Sequence, residues 1–473
     1  MWQGSVLESE ERAHSEVMAV QYTIKSFGGL GNALYDNSRS FTLAFAALQS
    51  GDTLVVTEGI WKTKPLTLHN KNNITLRLEK GSRILFSSDE NKYEPVFSRW
   101  EGINCYCMQS CLSIDSSSHI RITGEGILDG QGKSWWVASS YKREFQKGPV
   151  SPLEKRLALL NPGFESQSGG GGGRLSQYLR PPLLQIRKSD HVSVEGITLT
   201  NSPFWTLHPL FSTNLLFKDL AIINPKEAPN TDGIDVDSCQ AVHITGCLID
   251  VGDDALVLKS GSGEDGIKTN IPTNDVRIDH CTVNHAHGGA VIGSETAGGI
   301  SNIHVSDCIF DGTDRGIRIK TRRGRGGKIT NLVFSDISMQ DNLCPLTLNM
   351  YYRCGSDNEK DFSLEKLITT LTTPSISDIT IRNCLATCSR SSAGFIVGLP
   401  EEPITNLNIE NCSFGVATTD LEPIEDSEMT QGLPDVPERG MRLRNVHIGV
   451  HNLKVTGVCQ PLVIEEGVTI GWS

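Results

Sequence analysis

The sequence predicts an all-β fold in which short strands wind into a parallel β-helix. One pattern carries this: apolar, any, apolar, two of any, then Cys or another apolar residue. It reads Val242-x-Ile244-x-x-Cys247, Val276-x-Ile278-x-x-Cys281, Ile303-x-Val305-x-x-Cys308, Ile379-x-Ile381-x-x-Cys384 and Leu407-x-Ile409-x-x-Cys412, with apolar copies opening at Val192, Leu215 and Leu332. The copies start 23, 27, 34, 27 and 29 residues apart from Val192 to Leu332, and 28 apart from Ile379 to Leu407. That period is one coil of a solenoid. Alternation with period two means strands, and no helical stripe interrupts the copies.

The elements follow in chain order. Residues 1–21 read as an N-terminal extension. They carry Glu8, Glu10, Glu11 and Arg12 with no apolar stretch behind them. No secretory signal is therefore expected, and a cytoplasmic location is; secretion is the alternative if a signal has been removed. Residues 22–473 read as one β-helix domain. Ile120-x-Ile122 opens a weaker copy. Residues 130–182 are too long for a coil connection, and such loops are functional or disordered. They hold Trp135-Trp136, five glycines at 169–173 and Tyr178-Leu179-Arg180-Pro181-Pro182. The glycines lack the Gly-Lys-Ser/Thr of a phosphate loop and read as a flexible stretch. From Val192 on, a second strand follows each anchor, as in Gly233-Ile234-Asp235-Val236, Ala255-Leu256-Val257-Leu258, Ala290-Val291-Ile292 and Gly316-Ile317-Arg318-Ile319-Lys320. Residues 417–439, rich in Asp, Glu and Pro, read as a solvated loop.

The 473 residues carry a formal charge of -12. That disfavours nucleic acid, and a polyanionic substrate too unless basic residues are concentrated at one site. No run approaches the roughly 20 apolar residues that span a membrane. The 13 cysteines read as reduced thiols. Those of the repeat column fill inward positions as small hydrophobes. The rival reading, a metal site, lacks a Cys-x-x-Cys clip.

Stacked coils bring the second strands side by side, so Asp232, Asp253, Asp254, His287, Arg318 and Lys320 converge across about ninety residues of chain. Alone, an Asp-Asp pair reads as a solvated turn. Neighbouring carboxylates repel, so one can keep a proton while another stays charged. Glycosidic cleavage needs that asymmetry, one acid for the leaving oxygen and one base for water. Arg318 and Lys320 are two apart on a strand and share a face. Arg322, Arg323, Arg325 and Lys328 extend this local inversion of charge; a charged outer face or a nucleic-acid patch is the competing reading.

Four motifs, Asn230-Thr231-Asp232-Gly233, Gly252-Asp253-Asp254, His287-Gly288-Gly289 with Ile292-Gly293-Ser294, and Arg318-Ile319-Lys320, occur in an order and spacing that resemble glycoside hydrolase family 28, the polygalacturonases. Phe27-Gly28-Gly29 with Asp36 resembles that family's N-terminal strand and cap. The resemblance implies a single-stranded right-handed parallel β-helix that hydrolyses by single displacement with inversion. By motif, Asp253 is the general acid, Asp232 and Asp254 hold and deprotonate the water, and His287 tunes the cluster. An inverting pair is expected about 6.5–9.5 Å apart. Arg318 and Lys320 clamp the sugar carboxylate, Asn230 and Arg325 are substrate-binding, and Tyr352, with Tyr351 as the alternative, lines the cleft or packs in the core. No cofactor and no metal are implied.

Ala286 and Ala255 stand where many endo-acting members have Gly and Cys. The stretches around Gly293-Ser294-Glu295 and Asp314-Arg315-Gly316 look more like exo-acting members. Residues 130–182 are then expected to wall off the cleft beyond the terminal sugar, with Arg180 touching that sugar. The expected activity is exo-hydrolysis of α-1,4-linked galacturonate from the non-reducing end of pectic oligo- or polysaccharides. A hydrolase of rhamnogalacturonan or another substituted pectin is the alternative within enzymes. A calcium-dependent lyase fits less well, and a noncatalytic glycan-binding solenoid is the alternative from another class.

Overall fold

The structure, a computed structural model, describes residues 19–166 and 174–472. The five-glycine run and the charged residues near the N-terminus lie outside these. The repeat copies stack in register as expected. Ile74, Ile120, Val192, Leu215 and Val242 form a column that continues through Val276, Ile303, Leu332, Ile379 and Leu407. All ten are buried. Each coil sets its inward side chains on those of the next, so one continuous core runs the length of the solenoid.

A coil has three strands. In one they are Gln240–Thr245, Leu248–Asp250 and Asp254–Lys259. The third strands form one parallel sheet, twelve of them among the described residues, from Leu66–His69 to Leu462–Ile464. The first strand of these coils carries a left-handed residue within it, a conformation Asn and Asp tolerate best. Asp275, Asn302, Asn331, Asp378 and Asn406 take φ of 50–57° there. Their side chains bond coil to coil, Asn302 Nδ2 donating to Asn274 Oδ1 at 2.7 Å and Asn406 Nδ2 to Asp378 Oδ1 at 2.7 Å. Cys247, Cys281, Cys308, Cys384 and Cys412 are buried free thiols, as the column reading required.

Several elements were not foreseen. Helix Ser38–Ala47 buries Phe41, Ala44 and Phe45 and caps the solenoid's first end. The long insertion holds helices Lys133–Glu144 and Pro152–Leu160, not only loop. The second starts with a capping box, Ser151 and Glu154 each bonding the other's backbone, which ends a helix cleanly where little periodicity shows. Strands Pro95–Trp100 and Ile103–Met108 form an antiparallel hairpin that pairs only with itself.

Candidate active site

The twelve-stranded sheet presents its outward residues to the site. Asp232 ends the turn before Ile234–Asp237. Asp253 immediately precedes Asp254–Lys259, His287 precedes Gly288–Gly293, and Arg318 and Lys320 lie within Arg315–Lys320. Lateral bonds fix the turns. The Gly233 N–H donates to Asp254 O at 2.9 Å, the His287 N–H to Asp253 O at 2.9 Å and the Arg315 N–H to His287 O at 3.2 Å. The motif glycines allow this approach. A Cβ at Gly233 would stand 2.4 Å from Ala255 O, and one at Gly288 would stand 2.9 Å from Asp254 Oδ1.

One oxygen from each of Asp232, Asp253 and Asp254 falls within a mutual 4.8 Å. That is tighter than the expected inverting separation. A gap of this size is bridged by one water making two hydrogen bonds of about 2.8 Å. Three carboxylates could also chelate a hard cation. Asp254, however, already spends both oxygens, on Arg318 Nη1 at 2.8 Å and Lys320 Nζ at 2.5 Å. His287 Nδ1 lies 3.2 Å from Asp253 Oδ1.

These neighbours divide the acids. Burial opposes charge on Asp254, but Lys320 and Arg318 outweigh it and hold its carboxyl far below the usual range. Burial likewise opposes charge on Asp253, and His287 outweighs it. Asp253 in turn raises His287. Asp232 goes the other way: burial first, then Asp235 and Asp253, push its carboxyl well up against an opposing Lys259. Without substrate Asp232 thus holds a proton more tightly than Asp253 or Asp254 does.

Tyr352 lies beside the clamp, with Arg318 at 5.6 Å and Lys320 at 5.4 Å from its ring. Tyr351 is fully buried, its hydroxyl on Ser363 O, and Tyr352 is buried too, at 7 % exposure. Asn230 is half-buried, with φ of 56°. Arg180 requires a correction. It is wholly buried, donates from Nη1 to Pro203 O and Pro229 O, and from Nη2 to Asn230 Oδ1 at 2.8 Å. It therefore holds Asn230 from behind instead of facing a sugar. Arg325 is also buried, at 2 % exposure, and donates to Ser262 Oγ at 2.7 Å; it braces the wall.

On this side of the acids the hairpin, not the insertion, packs onto the strand of Asp237. Arg99 Nη1 bonds Asp237 Oδ1 at 2.6 Å, Trp100 stacks on Phe204 at 4.8 Å, and Gly102 O accepts from the Ser262 N–H at 2.9 Å. The insertion supports it from outside. Arg174 Nη2 donates to Trp100 O at 2.5 Å, and Arg180 O accepts from Trp100 Nε1 at 3.1 Å. Between wall and acids lies a group the sequence reading passed over. Lys259 Nζ sits 2.8 Å from Glu295 Oε2, 3.6 Å from Asp235 Oδ1 and 4.5 Å from the Trp205 ring. Alternation was the available signal: Ile234, Val236, Leu256 and Leu258 point inward, so Asp235, Asp237 and Lys259 face the site. Residues 417–439 are not simply a solvated loop either. Met429 Sδ accepts from Arg318 Nη2 at 3.1 Å, a contact across 111 residues that no local pattern reveals.

A sequence model described as Glycosyl hydrolases family 28 matches residues 168–425. The chain is 28 % identical over 458 residues to a probable polygalacturonase of Vitis vinifera, covering 92 % of this chain and 84 % of that protein. Among solved structures, a hyperthermoactive exopolygalacturonase from Thermotoga maritima is similar at a TM-score of 0.74 and 26 % identity, covering 93 % of this chain and 92 % of the other. A family 28 exopolygalacturonase of Yersinia enterocolitica, at a TM-score of 0.72 and 18 % identity over 96 % and 77 % of the chains, supports the fold alone.

Proposed function

This chain belongs to glycosyl hydrolases family 28, and from that premise we propose that it removes single galacturonate units from the non-reducing end of α-1,4-linked pectic oligosaccharides, by direct displacement with inversion. The observation carrying the exo reading is the hairpin. Arg99 occupies the strand of Asp237, one strand from Asp253 and Asp254, which leaves about one strand spacing, about 4.8 Å, for sugar on that side. A closed end with room for one unit favours monomer release.

The chain lies across the strands with the leaving-side carboxylate on Arg318 and Lys320. Arg offers a bidentate fork and Lys a point charge. Binding this anion adds negative charge beside the acids and draws Arg318 and Lys320 away from Asp254. Both effects raise the proton affinity of the cluster, and with substrate bound the proton that Asp232 held moves to Asp253, leaving Asp232 charged. Asp253, the carboxyl open to the site at 20 % exposure, passes its proton to the glycosidic oxygen as the C1–O bond breaks. Water held between Asp232 and Asp254 forms the new bond to C1 and gives its proton to that pair.

The first product from a long pectate chain tests the exo reading: galacturonate monomer is expected, and early mixed oligomers would overturn it. Proton NMR of the newly released sugar tests the stereochemistry. The β-anomer is expected first, while the α-anomer would mean retention, which the close carboxylates would then explain. Rhamnogalacturonan is the second reading, since Arg318 and Lys320 fix only one uronate. A reducing compartment is proposed as well, supported by the thirteen free cysteines; cell fractionation tests it, and recovery in the secreted fraction would refute it.

A further inference from the structure

The site is also closed on the leaving side. Helix Ile424–Glu428 and Met429 form a strap across the outer face of the sheet. Asn349 Nδ2 donates to Glu428 O at 2.8 Å and Arg315 Nε to Ser427 O at 2.9 Å. Thr430 bridges to Tyr352, and Glu428 pairs with Arg442 at 3.0 Å. Beneath the strap Thr347, Asn349, Phe395 and Arg442, which would floor a longer groove, are at most 3 % exposed. Only three strands remain between the Arg99–Asp237 pair and the strap: Asp254–Lys259, Gly288–Gly293 and Arg315–Lys320. Here the site opens, with Asp253 and His287 side chains 20 % and 49 % exposed.

We propose that hairpin and strap together limit the site to three sugar units, so that the enzyme is selective for short uronides, di- and trigalacturonate, and discriminates against the pectate polymer. This rests on the galacturonan reading above. From the strand of Asp237 to that of Arg318 there are three spacings of about 4.8 Å, the first for the sugar before the cut bond and the other two for sugars after it. The unit on Arg318 and Lys320 meets Met429 at once, since Met429 touches Arg318. A longer chain must turn out of the groove at that point, giving up contact with the sheet and its alignment with the acids.

The test is kcat/KM per mole of chain for digalacturonate, trigalacturonate and long polygalacturonate. The polymer is expected to be at least about tenfold poorer than the dimer. Met429→Gly should narrow that gap by improving the polymer. The residue has φ of 50°, which glycine adopts freely, so the fold should tolerate the change. A kcat/KM that rises from trigalacturonate to the polymer would overturn the proposal while leaving the galacturonan reading intact. A Met429→Gly enzyme that folds but keeps the wild-type length profile would overturn the strap's part in it. Release of no galacturonate from any of the three would overturn both readings together.

Discussion

Asp253 and Asp254 are neighbours in the chain, yet their settings differ. Asp254 is fully buried against two cations, and Asp253 is partly open beside an imidazole. The backbone N–H of Asp254 donates to Asp253 Oδ1 at 2.9 Å, a bond an asparagine at 253 can still accept. Asp253→Asn should therefore keep its melting temperature while kcat falls by about 10²–10⁴-fold, the usual weight of a general acid; unchanged turnover would remove the assignment. His287→Ala tests the neighbour. Protonated His287 lowers Asp253, so its loss raises the proton affinity of the acid. The alkaline limb of kcat/KM should then move to higher pH. A fall in rate with an unmoved limb would instead mean that His287 only contacts substrate.

Among elements, the hairpin shows where sequence reading stops. Its two strands show no clean alternation and no copy of the repeat, and they pair with each other and not with a coil. Arg99 finds its partner Asp237 138 residues away. The anchor columns were legible because each copy repeats the same burial problem. Three-residue strands such as Leu248–Asp250 are too short to show a period, and Ser38–Ala47 has no copy elsewhere to compare with. Of the site, the motif residues were legible, whereas Lys259 ends a strand read only for its apolar positions, Glu295, just past Gly288–Gly293, was read only as part of a motif, and Arg180 was assigned a role from an insertion whose packing no local pattern shows. The Arg99–Asp237 pair is fully buried on both sides. Arg99→Met removes the cation from Asp237, leaving it only Ser238 at 3.2 Å and His208 at 3.7 Å, and should cost about 3–5 kcal/mol of stability, read by denaturant unfolding. With the wall loosened, mixed oligomers should join the monomer among early products. An unfolding midpoint within error of wild type would show that the pair does not clamp the hairpin.

At the scale of the whole molecule, the solenoid is a rigid sheet with two added arms, and the arms do not share its repeat. The strap is tied through Glu428 to Arg442. Burial pushes the Glu428 carboxyl up to about 7, with Arg442 opposing and Glu465 and Glu425 adding to the rise. A carboxyl raised in the folded state binds its proton more tightly there than in the unfolded chain, where its value is about 4.3. Its contribution to stability is therefore complete below about pH 4 and disappears as pH rises through about 7. The span corresponds to a loss on the order of 3 kcal/mol. Asp237 works in the opposite direction and in another window. Held down to about 2, it stabilises above about pH 4 and loses that effect only as pH falls toward 2. Between pH 5 and 7.5 Glu428 should thus outweigh Asp237, and unfolding free energy should decline as pH rises. Glu428→Gln, neutral at every pH, should flatten that decline. A wild-type curve that climbs across this interval, or a Gln variant that reproduces the wild-type slope, would show that the strap is not anchored by a proton on Glu428.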